Sequence, residues 1–217
     1  MARFLEAIYR RRFGNEVAFR QKMGKVLCSH FFQRYVPRDS VVLDVAAGYC
    51  EFINHIRAKK KIALDINTDM KRFAHPDVVS IVESATDMQS IPDESVDVVF
   101  TSNFLEHLLK QDIVKVIQEC HRVLKKGGRI LMVQPNYRYC YKDFWMFWDH
   151  QTPLDDRSLS EIVEVNGFKV VECRPRWLPY TTKGRLPRST FLLKLYLALP
   201  FLQRWFGAQS FLYARRL

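Results

Sequence analysis

Several features common in proteins are missing from this sequence. It has five cysteines among 217 residues but no Cys-x-x-Cys pair, which excludes zinc-ribbon and thioredoxin-type motifs. The cysteines lie far apart, so we expect reduced, buried side chains rather than a disulfide framework. The sequence has neither a Gly-x-Gly-x-x-Gly fingerprint nor a Gly-x-x-x-x-Gly-Lys-Ser/Thr loop. These absences disfavour a dinucleotide cofactor and exclude a P-loop nucleotide site.

Long apolar runs are also absent. The nearest candidate, residues 191–206, is interrupted by two basic residues, a proline and a glutamine, so no transmembrane helix is predicted. The first 16 residues do not resemble a signal peptide, because Glu6 breaks the apolar stretch and no small-residue cleavage site follows. A cytoplasmic location is therefore expected.

Hydrophobic residues make up 48% of the chain and aromatic residues 13%, which is enough for a packed core in one domain with a small appendage. The net charge of +11 is unevenly distributed. Residues 1–39 carry +6, residues 40–168 carry −4 and residues 169–217 carry +9. If the two basic ends meet on one face, they form a patch suited to phosphates, anionic lipid or nucleic acid. The alternative is an ordinary solvated surface.

Helical and extended patterns alternate along the chain. Short, nearly continuous apolar runs predict buried parallel strands at 40–46, 62–66, 78–82, 96–101 and 129–134. Helical spacing predicts helices at 15–35, 51–58, 69–73 and 110–124. This alternation predicts an α/β, Rossmann-like, doubly wound sheet over residues 38–217, preceded by an N-terminal helical segment at 1–37.

The second half of the chain adds further elements. An aromatic stretch predicts a lid over about 137–157. Ser158-x-x-Glu161 predicts a capping box that opens a helix ending near 166–167. Strands are predicted at 168–173 and 211–215 with a helix at 190–205 between them, so that about 188–217 forms a basic helix and strand.

The first predicted strand runs into a turn that contains Gly48. Such a turn lets the backbone approach a ligand closely, and ligands in open α/β sheets bind at the carboxyl ends of the strands. Asp44 lies near the end of this strand and Asp65 near the end of the next. An acid about 20 residues past the first turn typically binds ribose hydroxyls. The two acids therefore indicate a cofactor that carries a nucleoside.

Four ordered segments, VLDVAAGYCEF, ALDIN, IPDESVDVVFTSNFLEHL and VLKKGGRILMVQPN, resemble the class I S-adenosylmethionine-dependent methyltransferases over about residues 38–173. The resemblance implies a seven-stranded sheet whose last strand is antiparallel, with S-adenosyl-L-methionine as cofactor and S-adenosyl-L-homocysteine as product. It implies that the Gly48 turn holds the methionine part, Asp44 its ammonium group and Asp65 the ribose. The implied cofactor residues are Asp44, Ala46, Gly48, Tyr49, Phe52, Asp65, Ile66, Asn67, Ser84, Ala85, Asp87 and Asn103, the last facing the sulfonium.

Two positions depart from the family pattern. The first turn reads Ala46-Ala47-Gly48-Tyr49-Cys50 and keeps only the middle of three alternating glycines, so Tyr49 must point away from the cofactor or cover it. After the third strand, Ser84-Ala85 stands where the family often has an acid that binds the adenine amino group. Either Ser84 or Asp87 could take that role, and the alternative for Asp87 is a solvated loop acid.

A hydroxyl acceptor needs a general base, for which His107 and His150 are the candidates. The alternatives are a backbone-bonded helix-start residue for His107 and a packing role for His150. Asn136, Tyr137, Tyr141 and Trp148 are candidates for binding the acceptor, the alternative for the aromatic residues being the packing of a lid helix. No His/Asp cluster is apparent, so no metal is expected.

A narrower resemblance concerns the acceptor. Residues 147–150, 153–154 and 178–187 are similar to bacterial methyltransferases that accompany glycosyltransferases in surface-glycan and glycolipid pathways. It implies methyl transfer to an oxygen of a glycan, a lipid-linked glycan or a related small acceptor, with peripheral contact of the basic C-terminal region at the inner membrane face. An RNA methyltransferase is an alternative, but residues 101–105 lack the Asn-Pro-Pro-Tyr-like motif, so a nucleic acid partner is disfavoured. A non-catalytic partner subunit is the third hypothesis.

Overall fold

The computed structural model describes residues 2–180 and 189–217. Within this part of the chain, seven strands form one sheet in the order β3-β2-β1-β4-β5-β7-β6. β7 pairs antiparallel with β5 and β6, and the pairs among β1 to β5 are parallel. The predicted sheet with an antiparallel last strand is thus confirmed. The strands are β1 Val41–Val45, β2 Lys60–Leu64, β3 Val78–Ile81, β4 Val96–Ser102, β5 Leu124–Pro135, β6 Phe168–Leu178 and β7 Gln209–Arg216.

Eight α-helices are described, with 3₁₀ turns at Phe32–Arg34 and Leu105–His107. The helices are α1 Ala2–Phe13, α2 Val17–His30, α3 Met70–Phe73, α4 Lys110–Val123, α5 Tyr137–Phe144, α6 Asp156–Val165, α7 Thr190–Ala198 and α8 Pro200–Phe206. In the described ranges, no helix has the length and apolarity needed to cross a membrane. Residues 181–188, which include part of the glycan-type resemblance and two arginines of the expected basic patch, lie outside the described residues.

Two apolar clusters cover the two faces of the sheet. Successive residues of β1 alternate between them, since Leu43 and Val45 belong to one cluster and Val42 to the other. The first cluster includes the buried side of α4, and the second includes Leu27 and Phe31 of the N-terminal segment. The N-terminal segment therefore packs into the same core as the sheet.

The predicted helix at 51–58 is not formed. Residues 51–56 are a series of turns in which the amides of His55 and Ile56 both donate to the Phe52 carbonyl at 3.0 Å. Asn54 uses its side chain elsewhere, donating from Nδ2 to the Phe73 carbonyl and accepting on Oδ1 from the His75 amide. A short segment with two β-branched residues is a poor helix former, because helix nucleation is costly. The hydrogen bonds of the Asn54 side chain therefore form in place of a helix.

Two other helix boundaries differ from the sequence prediction. Asp155, not Ser158, is the N-cap of α6: its Oδ1 accepts from the Ser158 amide, and the Ser158 hydroxyl accepts from the Asp155 amide. The predicted helix at 190–205 is two helices that meet at Leu199, because Pro200 has no N–H to continue the first.

Candidate functional site

A cavity of about 680 Å³ opens at the carboxyl ends of β1 and β4. Its volume lies in the range of small-molecule and cofactor sites. Its lining combines the loop after β1, the end of β4, the 3₁₀ turn at Leu105–His107 and parts of α1, α2, α7 and α8. Of the residues predicted from the sequence, the lining includes Asp44, Ala46, Phe52, Asn103, His107 and His150.

The loop after β1 keeps an alternating left-handed backbone. Ala46 has φ 60°, Gly48 φ 53° and Cys50 φ 60°. These are the positions at which the resembled family often has glycine, so the loop shape persists although two of the three residues carry a Cβ. A side chain at Gly48 would be strained by the positive φ, and its Cβ would lie 2.6 Å from the Tyr9 hydroxyl oxygen, so that Tyr9 would have to shift.

Tyr49 points away from the cavity. Its ring packs between those of Phe73, at a centroid distance of 4.1 Å, and Tyr9, at 5.1 Å. Of the two alternatives for Tyr49, the structure therefore favours the first. Tyr9, which the sequence reasoning missed, covers the loop from α1 and lines the cavity. Burial raises the pKa of the Tyr9 hydroxyl, which keeps it a neutral hydrogen-bonding group.

Two carboxyl groups lie at the strand ends. Asp44 is buried in the cavity wall, and burial, together with the nearby charge of Glu51, raises its pKa well above the usual value. Asp65 accepts hydrogen bonds from the Gly48 amide on Oδ2 and from the Asn67 amide on Oδ1, both at 2.8 Å. Burial raises the pKa of Asp65, and these backbone bonds oppose the rise. Asp65 thus fixes the shape of the loop after β1.

The remaining predicted cofactor residues do not line this cavity. Ser84 and Asp87 are exposed in the loop after β3, where the Asp87 carboxylate accepts from the side-chain amide of Gln89 at 2.9 Å. Ala85 is buried in the core cluster. The residues outside the lining are Gly48, Tyr49, Asp65, Ile66, Asn67, Ser84, Ala85 and Asp87.

His107 is held from the side of the lid segment. Its Nδ1 lies 3.3 Å from Asp149 Oδ2 and 3.2 Å from the Asp149 carbonyl oxygen. Arg12 of α1 pairs with the same carboxylate through both of its terminal nitrogens, one of them at 3.0 Å. The Gln151 and Thr152 amides donate to the Glu106 carbonyl, which fastens this part of the lid onto the 3₁₀ turn. A chain of charged groups therefore runs from α1 to the His107 imidazole.

Glu106 and His150 complete this part of the cavity wall. Glu106 is 2% exposed, its Oε2 accepts from Gln134 Nε2, and burial raises its pKa. The His150 ring lies 4.9 Å from the His107 ring, and its own burial, aided by the nearby His107, lowers the pKa of His150 to about 4. The expectation that the sequence holds no metal-ligating cluster is revised, because Glu106, His107 and His150 each bring a donor atom within 4.8 Å of the others.

The residues predicted to bind the acceptor lie elsewhere. Asn136 is buried and donates from Nδ2 to Asp156 Oδ1 at 2.7 Å and to the Pro175 carbonyl at 2.8 Å, while its Oδ1 caps α5. Tyr137 packs edge-on against Phe144. Tyr141 and Trp148 are exposed, and none of the four lines the cavity. Instead, the aromatic side chains that line this side of the cavity include Phe147 and Tyr180, with Tyr196 of α7 and Phe206 of α8.

Comparison with known proteins gives these geometries a family context. Residues 43–132 match a family model described as "Methyltransferase domain". A probable S-adenosylmethionine-dependent methyltransferase of Mycolicibacterium smegmatis is 37% identical over 83 residues, which are 37% of this chain and 31% of that protein. This segment is therefore similar to methyltransferase domains. S-adenosylmethionine is the cofactor of that class of enzyme domain. The chain spans about a third of the length of this curated relative.

Solved structures extend the similarity to the whole fold. A methyltransferase described as SAM dependent from Archaeoglobus fulgidus superposes with a TM-score of 0.71 at 22% identity, covering 94% of this chain and 99% of that chain. A [4+2]-cyclase superposes with a TM-score of 0.59 at 16% identity, covering 90% of this chain and 80% of that chain. Because a cyclase shares the architecture, the fold by itself does not decide the reaction.

The residues at the carboxyl ends of the strands fit S-adenosylmethionine. Asp44 is a buried carboxyl group in the cavity wall, and a cationic ammonium group beside it would offset the burial that raises its pKa. The left-handed loop from Ala46 to Cys50 brings the backbone to the same end of β1. Glu51 lines the cavity and is balanced by Arg20 at 2.6 Å. The sequence reasoning missed four residues of the site, which are Tyr9, Arg12, Glu106 and Asp149. Of these, only Glu106 could have been noticed in the sequence, because it is a glutamate next to His107 in an otherwise apolar turn.

Proposed function

We propose that this protein transfers the methyl group of S-adenosylmethionine to an oxygen of a glycan carried on a lipid, at an anionic membrane surface. The observation that carries this proposal is the course of the cavity. It extends from Asp44 and Asn103 at the strand ends to Leu192, Leu195 and Phe206 on the C-terminal helices. One end of the cavity therefore suits a polar cofactor and the other an apolar chain.

The outer surface of the same helices is apolar and solvent-exposed. α7 has no fully buried residue. α7 lies against α2, and its Leu193 and Tyr196 are partly buried against the apolar cluster on that face of the sheet. Phe191, Phe201 and Trp205 are all more than 60% exposed. An exposed apolar surface on short helices is typical of proteins that lie in a membrane interface.

The charge of this region supports an anionic surface as the partner. Residues 189–217 contain no Asp or Glu but include Lys194, Arg204, Arg215 and Arg216. Lys194 and Arg204 are exposed on α7 and α8 beside the apolar side chains. Basic residues next to an apolar helix face add electrostatic attraction to anionic headgroups.

The cofactor, when bound, supplies a methyl group on a sulfonium that is a good leaving group. The chain's part is then to align the acceptor oxygen, exclude water and manage the acceptor's proton. α1 closes the cavity over the loop after β1 through Tyr9, and the Arg12–Asp149 pair joins α1 to the lid. His107 and His150 line the cavity, and their predicted role as general base remains a prediction.

The cofactor part is tested by calorimetry with S-adenosylhomocysteine. Asp65→Ala should weaken binding at least tenfold, because the loop after β1 loses the carboxylate that holds the Gly48 amide. Glu164→Ala is the matched control and should bind as the wild type does, because Glu164 is an exposed acid on α6 that is neither in the cavity lining nor among the candidate cofactor residues. Equal weakening in both variants would contradict this assignment.

The acceptor part is tested by formation of S-adenosylhomocysteine with a lipid-linked glycan and with the same glycan free in solution. The lipid-linked form should react faster, and the double variant Phe201→Ser/Trp205→Ser should lose both this preference and cosedimentation with anionic vesicles. Val165→Ser, which removes an apolar residue 72% exposed at the end of α6, is the control and should keep both. No vesicle binding by the wild type, or a salt-sensitive gel shift with RNA instead, would refute the membrane proposal.

A further inference from the structure

The donor atoms of Glu106, His107 and His150 lie closer together than general base catalysis requires. One donor atom of each side chain lies within 4.8 Å of those of the other two. A tetrahedral ion with ligands at about 2.0–2.2 Å keeps its donor atoms roughly 3.4 Å apart, so small side-chain rotations bring all three onto one ion. We propose that Glu106, His107 and His150 bind a divalent first-row transition-metal ion in the cavity wall.

His150 supplies an independent observation. His150 is 8% exposed, and its Nδ1 has no hydrogen-bond partner within residues 2–180 and 189–217. A buried polar atom without a partner costs about 1–3 kcal/mol, so such atoms are rare without a reason. Imidazole nitrogen is the commonest metal ligand, and an ion bound through Nδ1 would give this atom the partner that it lacks.

Hydrogen-bonding partners orient the other two residues, as is usual for the ligands of a metal ion. Asp149 engages His107 on Nδ1, which leaves Nε2 free to face Glu106 Oε1 at 3.8 Å. A carboxylate on the far nitrogen fixes the tautomer and the orientation of a metal-binding imidazole. Glu106 is fixed in the same way, because its Oε2 accepts from Gln134 and leaves Oε1 available.

The donor set selects the class of ion. Two imidazole nitrogens and one carboxylate oxygen suit Zn²⁺ or Fe²⁺, whereas Mg²⁺ and Ca²⁺ prefer oxygen ligands alone. Three protein ligands leave an open position, and all three residues line the cavity. That position can take an oxygen of a molecule in the cavity, whose hydroxyl pKa the ion would lower.

The binding part of this inference stands by itself, while its effect on an acceptor hydroxyl rests on the methyl transfer proposed above. An ion also takes the nitrogen lone pairs that a base would need. Bound in this way, His107 and His150 would hold the acceptor oxygen through the ion, and the proton of the hydroxyl that the ion acidifies would pass to water at the cavity mouth.

The test is calorimetry with Zn²⁺ on the full-length protein after treatment with a chelator, together with the visible absorption of bound Co²⁺. The wild type should bind one Zn²⁺ per chain. Glu106→Gln, which is nearly isosteric, and His150→Ala should each weaken binding at least tenfold while S-adenosylhomocysteine still binds, which shows that the variants fold. Mg²⁺ should not compete with Zn²⁺.

His75→Ala is the matched control. His75 and His55 form a second histidine pair, with ring centroids 5.9 Å apart, outside the proposed site. This variant should bind Zn²⁺ as the wild type does. Three results would each overturn the proposal. They are equal Zn²⁺ affinity in the wild type, Glu106→Gln and His150→Ala, loss of Zn²⁺ binding in His75→Ala, and equal competition by Mg²⁺. Zn²⁺ binding as expected without methyl transfer to any lipid-linked acceptor would leave the metal site standing and refute only the proposed function.

Discussion

The loop after β1 shows how much a single backbone position can matter. Ala46 and Cys50 both adopt positive φ, although a Cβ in the left-handed region costs about 1–2 kcal/mol per residue. Strain of this kind persists where the surrounding structure determines the backbone, commonly at ligand sites. Asp65 supplies part of that determination by binding the Gly48 amide between the two strained residues. The loop therefore stores strain at the place where the cofactor is expected.

Ala46→Gly should stabilise the folded protein by about 1 kcal/mol, because glycine adopts positive φ without the steric cost of a Cβ. Ala47→Gly is the matched control. Ala47 is the adjacent buried alanine and has no positive φ, so the change should destabilise the protein by about 0.5–1 kcal/mol. Urea denaturation of both variants measures the difference. Destabilisation of the same size in both would show that the Ala46 backbone is not strained.

At the scale of the element, α6 begins at a well-formed cap. Asp155 Oδ1 accepts from the amides of Arg157 and Ser158, and these bonds, opposing the effect of burial, hold the pKa of Asp155 below its usual value. A carboxylate with a lowered folded pKa contributes stability that is present above its unfolded pKa of about 3.9. The contribution is lost as the pH falls through the folded pKa.

Asp155→Ala should therefore lower the free energy of unfolding by about 1 kcal/mol at pH 7. The difference from the wild type should shrink as the pH falls below about 4, because the protonated wild-type side chain no longer caps as a carboxylate. Asp155→Asn is the control, since its amide oxygen can cap at every pH. Urea denaturation between pH 3 and 7 gives these values, and a pH-independent difference for the alanine variant would contradict the capping role.

The elements that the sequence predicted well are those fixed by local composition. The five parallel strands are nearly continuous apolar runs, and each lies within a few residues of its predicted position. The stretch 51–58 failed because the Asn54 side chain bonds to the segment before β3, a contact that no local pattern reveals. Asp155 was missed as a cap because Ser158 offered an equally good local signal.

The candidate site divides along the same line. The positions of Asp44, Asp65 and the Gly48 turn at strand ends could be predicted because strand ends and turns are legible in sequence, while their roles in cofactor binding stay predictions. The group of Glu106 and His150 could not, because it depends on how the lid segment docks on the 3₁₀ turn through the Gln151 and Thr152 amides. Contacts between segments far apart in the chain are decided by tertiary packing, which a single sequence does not show.

At the scale of the whole molecule, the charge is unevenly distributed along the chain. The C-terminal region from residue 189 is basic and free of acids, and its helices form one wall of the cavity. Anionic headgroups attract each nearby Lys or Arg by about 1 kcal/mol, an attraction that decays within a Debye length. If α7 and α8 lie on a membrane, charge and apolar contact should contribute separately to binding.

Lys194→Gln/Arg204→Gln should therefore weaken binding to anionic vesicles at about 0.1 M salt by roughly 25-fold, which is about fivefold for each charge. Cosedimentation should detect this loss, and at about 1 M salt, where the Debye length falls to about 3 Å, the variant and the wild type should bind equally. The residual binding at high salt should depend on Phe201 and Trp205, because burial of apolar side chains is not screened by ions. Lys126→Gln is the control, since Lys126 is exposed at the amino-terminal end of β5, opposite the cavity. An equal loss for Lys126→Gln would mean that vesicles sense only the net charge of the protein, and the C-terminal helices would then not be the docking surface.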